Sequence, residues 1–150
     1  MPQSLSLVLV HLVFSTKNRA PMIRPEIEPN LHAFLGGIVR DCGCTAIACG
    51  GTEDHIHMLC SLSRTIAIAS LVEGLKTRSS KWVKTQGRAY DQFHWQNGYG
   101  VFSIGKSQEE ALKRYIARQK EHHQKASFQD EFRAILRKYG VTFDEQYIWD

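Results

Sequence analysis

The sequence predicts an α+β fold, an antiparallel sheet with helices packed on it. Short apolar runs alternate with longer segments of helical periodicity in the order β-α-β-β-α-β(β)-α-α. The chain has 150 residues, 43% hydrophobic and 23% charged, a globular composition that argues against disorder and suits one core. No internal repeat, low-complexity tract or domain boundary interrupts it, so residues 1–150 read as a single domain.

Leu5–Phe14 is rich in Leu and Val and reads as a strand buried on both faces, running into the basic loop Ser15-Thr16-Lys17-Asn18-Arg19. It is not read as a signal peptide. A basic leader is missing, His11 interrupts it, and Lys17 and Arg19 stand where small residues would be needed. It is also too short to cross a bilayer. Pro21, Pro25 and Pro29 punctuate a connection. Leu31, Phe34, Leu35, Ile38 and Val39 then recur at spacings of three and four, predicting an amphipathic helix that Gly43 ends.

Cys44–Cys49 and His55–Leu62 read as paired strands around Gly50-Gly51. Ile66, Ala69, Val72, Leu75, Ser79 and Trp82 follow the helical period again. Phe93–Ile104 reads as a β-hairpin around Asn97-Gly98. Ser107 to Glu110 spells a capping box, predicting a helix from Ser107 to about His123. A last helix spans Phe128–Tyr139, with Phe128, Phe132, Ile135, Leu136 and Tyr139 inward and Gly140 as its stop, and Val141–Asp150 is a short tail.

The net charge is +4 and the pI about 8.9, which permits an anionic partner without demanding one. The four cysteines, Cys42, Cys44, Cys49 and Cys60, form no C-x-x-C pair. They fit neither a zinc ribbon nor a disulfide scaffold and read as small thiols in a reducing cytoplasm.

Two local patterns carry chemistry. In His55-Ile56-His57, side chains alternate along a strand, so both imidazoles point one way and can share one divalent ion. Tyr115 and Gln119 stand four apart and share a helix face. Taken singly, such residues are more often surface histidines, a packed tyrosine and a solvated glutamine.

Taken together, the blocks resemble the HUH single-tyrosine transposases of the insertion-sequence 200/605 type and their relatives linked to repetitive palindromes. The resemblance runs through His11–Arg19, Glu53–Leu59 with its two histidines, Leu75–Trp82, Phe93–Tyr99 and Tyr115–Gln119, nearly the whole chain in the family's order. It departs mildly, with Cys60 in place of an aliphatic residue and an uncommon basic end to the first strand.

The resemblance implies a ferredoxin-like or RRM-like sheet with the catalytic tyrosine on a helix in the C-terminal half. Tyr115 would be the nucleophile, and His55, His57 and Gln119 would hold Mg²⁺ or Mn²⁺. Attack would give a 5′-phosphotyrosine and a free 3′-hydroxyl, so that rejoining needs no ATP. The implied substrate is single-stranded DNA with hairpin ends, and the implied assembly is a homodimer whose tyrosine helices complete each other's sites. Lys17, Arg19, Lys76, Arg78, Lys81, Lys84 and Arg88 are the candidate phosphate contacts. Trp82, Phe93 and Trp95 could stack on bases, although core packing is the commoner role.

Three rivals make different predictions. A non-catalytic nucleic-acid-binding module would bind but not cleave. A metal-dependent nuclease would use water and survive loss of Tyr115. A zinc site would draw on Cys42, Cys44, His122 or His123, at spacings that fit no standard pattern. A mobile element's own enzyme and one recruited by its host would carry the same residues.

Overall fold

The computed structural model describes residues 2–150. Its centre is a four-stranded antiparallel sheet of β1 (Leu9–Ser15), β2 (Thr45–Gly51), β3 (His55–Ser61) and β4 (Gly100–Ile104), in the order β2-β3-β1-β4. Helices α1 (Glu28–Asp41) and α2 (Ile68–Lys84) make the two crossovers, each skipping one strand, which is the ferredoxin-like topology expected from the sequence. Three further helices follow: α3 (Glu109–Ala117), the single turn α4 (Gln119–His122) and α5 (Phe128–Lys138).

Strand alternation sorts the side chains between two faces. Val10, Leu12, Phe14, Ile56, Met58 and Cys60 pack with Leu31, Leu35, Leu71 and Leu75 of α1 and α2 in the larger core. On the opposite face Leu9 and Leu59 meet Ile116 of α3, and Val13 meets Phe128, Phe132 and Leu136 around α5. With both faces covered, every residue of β1 is buried. Leu35 is fully buried in this core, so Leu35→Ala should lower unfolding free energy by about 2–5 kcal/mol in denaturant titrations.

Several sequence expectations need correction. The first strand begins at Leu9 rather than Leu5, and Leu5, Leu7 and Val8 are 82%, 56% and 47% exposed. The neighbouring strands run out opposite Leu9, at Ser61 and Ile104, and beyond them the Leu62 N–H reaches the Val8 carbonyl at 2.9 Å. The hairpin over Phe93–Ile104 does not form. Only β4 is a strand there, while Trp95 makes an isolated bridge to Thr16. Carbonyls at Gln96, Asn97 and Gly98 turn instead onto the Lys76 ammonium.

The capping box is not used either. Ser107 lies in a 3₁₀ turn, Lys106–Gln108, and α3 starts one residue beyond it. The long helix predicted to His123 breaks at Arg118 (φ −103°, ψ 20°), separating α3 from α4. Val141–Asp150 is also more than a tail. Phe143, Ile148 and Trp149 pack on the α5 cluster, and the Gly98 N–H donates to the Asp150 carbonyl at 2.7 Å.

Gly50 and Gly51 earn their place by close approach. A Cβ at Gly51 would lie 2.1 Å from the His55 carbonyl oxygen, and one at Gly50 would lie 2.5 Å from the carbonyl oxygen of Ile116. The bare strand edge lets α3 settle on the sheet one residue after Tyr115. Gly50→Ala should therefore push α3 outward, costing about 1–3 kcal/mol by thermal unfolding.

Candidate active site

β3 presents His55 and His57 on the face covered by α3, α4 and α5, while Ile56 between them enters the larger core. Both histidines are fully buried. The period-two reading of this triplet therefore places both rings on one side. Around them gather Tyr115 from α3, Gln119 from α4, His123 just after it and Glu131 from α5.

His55 is oriented from behind. Its Nδ1 lies 2.7 Å from Asp54 Oδ1 and 3.0 Å from Thr52 Oγ1. A carboxylate only accepts, so Nδ1 carries the proton and Nε2 presents its lone pair. That Nε2 faces Gln119 Oε1 at 2.9 Å and Glu131 Oε1 at 3.6 Å. His57 Nδ1 pairs with His11 Nε2 at 2.7 Å, and His57 Nε2 faces Glu131 Oε1 at 2.8 Å. Gln119 Nε2 donates to Glu131 Oε2 at 3.0 Å, which turns its own carbonyl oxygen toward His55. Tyr115 donates its hydroxyl proton to Glu131 Oε2.

The electrostatics follow from burial. Tyr115 is held above the usual phenol range by burial, then by the charge and hydrogen bond of Glu131, while Gln119 works the other way. Glu131 lies well below the usual carboxylate range. Burial acts to raise it, but hydrogen bonds from His123 and His57, the charge on His57 and the Tyr115 hydroxyl outweigh that. Burial lowers His57 despite Glu131, and burial with the neighbouring His57 brings His11 down to about 3.

A pH dependence results. His11 and His57 stay neutral in the fold but take up protons when unfolded, near pH 6.5. The unfolded state then binds more protons, so stability falls as pH drops below about 6.5. The carboxylate of Glu131 adds a like-signed loss only below its unfolded value of 4.5. Thermal melts in EDTA should show the midpoint falling from about pH 6.5 downward, with a shallower fall in His11→Phe.

His55 Nε2, His57 Nε2 and Gln119 Oε1 are neutral ligand atoms of the type that suits a divalent transition ion, and His55 Nε2 and Gln119 Oε1 converge at 2.9 Å, with His123 Nε2 3.1 Å from the same Gln119 oxygen. Among the described residues, the one group of His, Cys, Asp or Glu able to surround an ion is His55, His57, His123 and Glu131. It contains no cysteine. Cys42, Cys44, Cys49 and Cys60 are free, and burial pushes the Cys49 and Cys60 thiols up to about 12. This disposes of a site built on Cys42 and Cys44, and it places His123 with the histidine pair. A cavity of about 540 Å³ between α3 and α5 opens onto the site, lined by Leu112, Tyr115, His122, Glu131, Ile135 and Tyr139.

The basic candidates divide. Lys81, Lys84 and Arg88 are exposed, and Lys81 and Lys84 line a cavity of about 490 Å³ between α2 and residues 94–99. Lys17 and Arg19 sit on the turn after β1, with the Arg19 guanidinium 5.7 Å from the Trp149 ring centre. Arg78 is paired with Asp41 at 2.8 Å. Lys76 reaches the Gln96, Asn97 and Gly98 carbonyls at 2.8, 3.1 and 2.6 Å, and burial lowers its pKa to about 8. An ammonium spent on three carbonyls is a clamp for that loop. Lys76→Met should destabilise the fold by about 1–3 kcal/mol, read in denaturant melts, since those carbonyls lose their donor.

The aromatic candidates are packed. Trp95 donates to Ser79 Oγ at 2.9 Å and meets Phe14 and Phe93 edge-to-face, and Trp82 stacks on Phe34.

Sequence reasoning missed His11, Thr52, Asp54 and Glu131 as parts of the site, and weighed His123 only for zinc. One signal was available for Glu131. It stands three residues after the inward Phe128, on the edge of the apolar face of α5.

Known proteins resemble this chain along most of its length. The family model described as "Transposase IS200 like" matches residues 4–119. The ISDra2 transposase TnpA of Deinococcus radiodurans is 23% identical over 114 residues, 73% of this chain and 81% of that protein. Among solved structures, a candidate transposase from Deinococcus radiodurans R1 superposes with a TM-score of 0.62 at 20% identity, over 79% of this chain and 98% of the other. A REP-associated tyrosine transposase bound to a REP hairpin superposes with a TM-score of 0.60 at 14% identity, over 82% of this chain and 74% of the other. These two likenesses agree with the ferredoxin-like sheet and helices described above. With the family model spanning β1 through the Tyr115 helix to Gln119, the chain belongs to the IS200-like transposase family.

Proposed function

We propose that this protein cleaves and rejoins single strands of DNA, with Tyr115 as nucleophile and with His55, His57 and Gln119 holding a divalent ion. The observation that carries this is the meeting of the Tyr115 hydroxyl with those three donors in one buried cluster beside an open cavity.

The chemistry is a transesterification. The Tyr115 oxygen forms a bond to phosphorus, the bond from phosphorus to the 3′ oxygen breaks, and that oxygen leaves as a hydroxyl. The DNA remains on the protein as a 5′-phosphotyrosine, and attack by another 3′-hydroxyl reverses the step. When bound, Mg²⁺ or Mn²⁺ supplies Lewis acidity at the scissile phosphate. The Tyr115 proton already rests on a hydrogen bond to Glu131 Oε2, which gives it an acceptor as the phenol attacks. Asp54 and Thr52 fix the His55 ring, and His11 fixes that of His57.

Hairpin-bearing single strands are the proposed substrate, supported by the fold shared with a relative solved on a REP hairpin. Lys17, Arg19, Lys81, Lys84 and Arg88 are the proposed phosphate contacts, with Arg78 available once its pair with Asp41 opens. Lys76 is better assigned to the loop it clamps. Among the described residues no helix is long and apolar enough to cross a membrane, and we place the protein on DNA in the cytoplasm.

We also propose a homodimer for the DNA-bound enzyme. Tyr115, Gln119 and both histidines meet within one chain, so exchange of tyrosine helices between copies has its own test. An equimolar mixture of Tyr115→Phe and His57→Ala chains regains adduct formation if helices are exchanged, and stays inactive if each copy uses its own.

The test of the activity is a pair of hairpin oligonucleotides drawn from the flanks of the gene, one labelled on each side of the cut. With Mn²⁺ the 5′-phosphate side should run with the protein on a denaturing gel, and EDTA should abolish the band. Release of both fragments free of protein would point to water as the nucleophile.

A further inference from the structure

Glu131 lies beyond residue 119, where the family match ends, yet it is the residue on which the site converges. Its side chain is 1% exposed, and the basic groups within ion-pairing distance are all imidazoles, those of His55, His57, His122 and His123. A carboxylate buried without lysine or arginine calls for another source of positive charge. The two oxygens have separate surroundings. Oε1 faces His57 Nε2 at 2.8 Å, His123 Nε2 at 3.1 Å and His55 Nε2 at 3.6 Å. Oε2 accepts hydrogen bonds from Tyr115 and from Gln119 Nε2.

The Oε1 side is crowded with acceptors. His55 donates its Nδ1–H to Asp54, so its Nε2 lone pair, the Gln119 carbonyl oxygen and Glu131 Oε1 point at one another with no proton of His55 or Gln119 between them. The imidazoles of His57 and His123 are the groups that face these oxygens, His123 Nε2 lying 3.1 Å from both Gln119 Oε1 and Glu131 Oε1, so a cation entering here would take the place of imidazole protons. The separations of 2.8–3.6 Å are those of atoms sharing one ion at ordinary coordination lengths of roughly 2.0–2.2 Å.

We propose that Glu131 is a fourth ligand of the ion through Oε1, and that through Oε2 it positions the Tyr115 hydroxyl beside that ion. This rests on the metal site assigned above to His55, His57 and Gln119. One carboxylate then ties the centre to the nucleophile, and α5 becomes part of the active site. The donor set also has a consequence for the ion. Mg²⁺ favours an all-oxygen octahedron and keeps its waters, whereas a site with two imidazole nitrogens favours a transition ion such as Mn²⁺ over Mg²⁺.

The experiment is a Mn²⁺ titration of the full chain, followed by loss of the free-ion signal in electron paramagnetic resonance, without DNA. It compares wild type, Glu131→Gln, Glu131→Asp and His57→Ala, each checked by circular dichroism and by its melting temperature in EDTA. Glu131→Gln keeps the shape of the side chain, removes its charge and replaces one accepting oxygen with a donor NH2. The expected result is at least about tenfold weaker Mn²⁺ binding in Glu131→Gln, since even outer-shell partners of metal ligands cost 10- to 100-fold. Glu131→Asp should recover part of the loss, and Mg²⁺ should displace Mn²⁺ from wild type only in large excess. Wild-type affinity in Glu131→Gln with binding lost in His57→Ala would overturn the role of Glu131 and leave the histidine site standing. Wild-type affinity in both would overturn the histidine site itself, and this proposal with it.

Discussion

Tyr115→Phe should reduce covalent capture and strand transfer to background. Phenylalanine keeps the ring, and with it the edge contact to His57 and the packing near His122. The one atom removed is the oxygen that would bond to phosphorus. Where catalytic groups act as a unit, loss of the nucleophile costs on the order of 10⁶-fold in turnover. Hairpin binding should stay within about twofold of wild type, because the phosphate contacts proposed on the turn after β1 and along α2 would supply most of the affinity. The variant should also keep its Mn²⁺ site, since the hydroxyl hydrogen-bonds to Glu131 and faces none of the imidazole nitrogens. Single-turnover cleavage, hairpin binding and metal titration on one preparation separate these effects.

His57→Ala should be nearly as damaging, for two reasons. It removes a proposed metal ligand, so activity should fall at least about 10³-fold and stay low at any accessible Mn²⁺ concentration. It also strips Glu131 Oε1 of its 2.8 Å partner and leaves His11 facing a cavity where the ring stood. Leaving a buried acceptor without its hydrogen-bond donor typically costs about 1–3 kcal/mol, and more for a charged group. Denaturant melts should therefore show a lower midpoint in the metal-free state. The added metal that stabilises wild type should do little for the variant.

The parts of the fold that were legible in the sequence are those set by local period and composition. The facing of His55 and His57 depends only on strand alternation, which is why two letters spaced by one were enough. Gly140 follows α5 in the left-handed conformation (φ 66°), as its place after the last apolar residue suggested. What failed was set by partners distant in the chain. Where β1 begins depends on where β3 and β4 stop. The segment around Asn97-Gly98 carries the letters of a hairpin, but β1 already pairs on both edges with β3 and β4, and Lys76 draws the carbonyls away.

The candidate site shows the same division. Tyr115 and Gln119 were linked by helical spacing, and both reach the site although the helix between them breaks at Arg118. Arg118 and Lys120 are exposed while Gln119 is buried, so the break turns one residue inward without disturbing its neighbours. Glu131 carried only a weak signal, because a lone glutamate at the margin of an amphipathic helix is usually solvated. Only the packing of α5 across the sheet shows that this one faces two buried histidines. His11 was hidden for a similar reason, since a histidine in an apolar strand gives no hint of which neighbour it will meet. Lys76 reads as one member of a basic helix face until the loop that wraps it is seen.

The most direct test of the account is to trap the protein–DNA adduct with Mn²⁺ and a hairpin oligonucleotide, digest it, and locate the modified residue by mass spectrometry. The account predicts a nucleotide phosphate on the peptide containing Tyr115, formed only with metal and absent from Tyr115→Phe. An adduct on any other residue, or metal-dependent cleavage that leaves both ends free of protein, would contradict it.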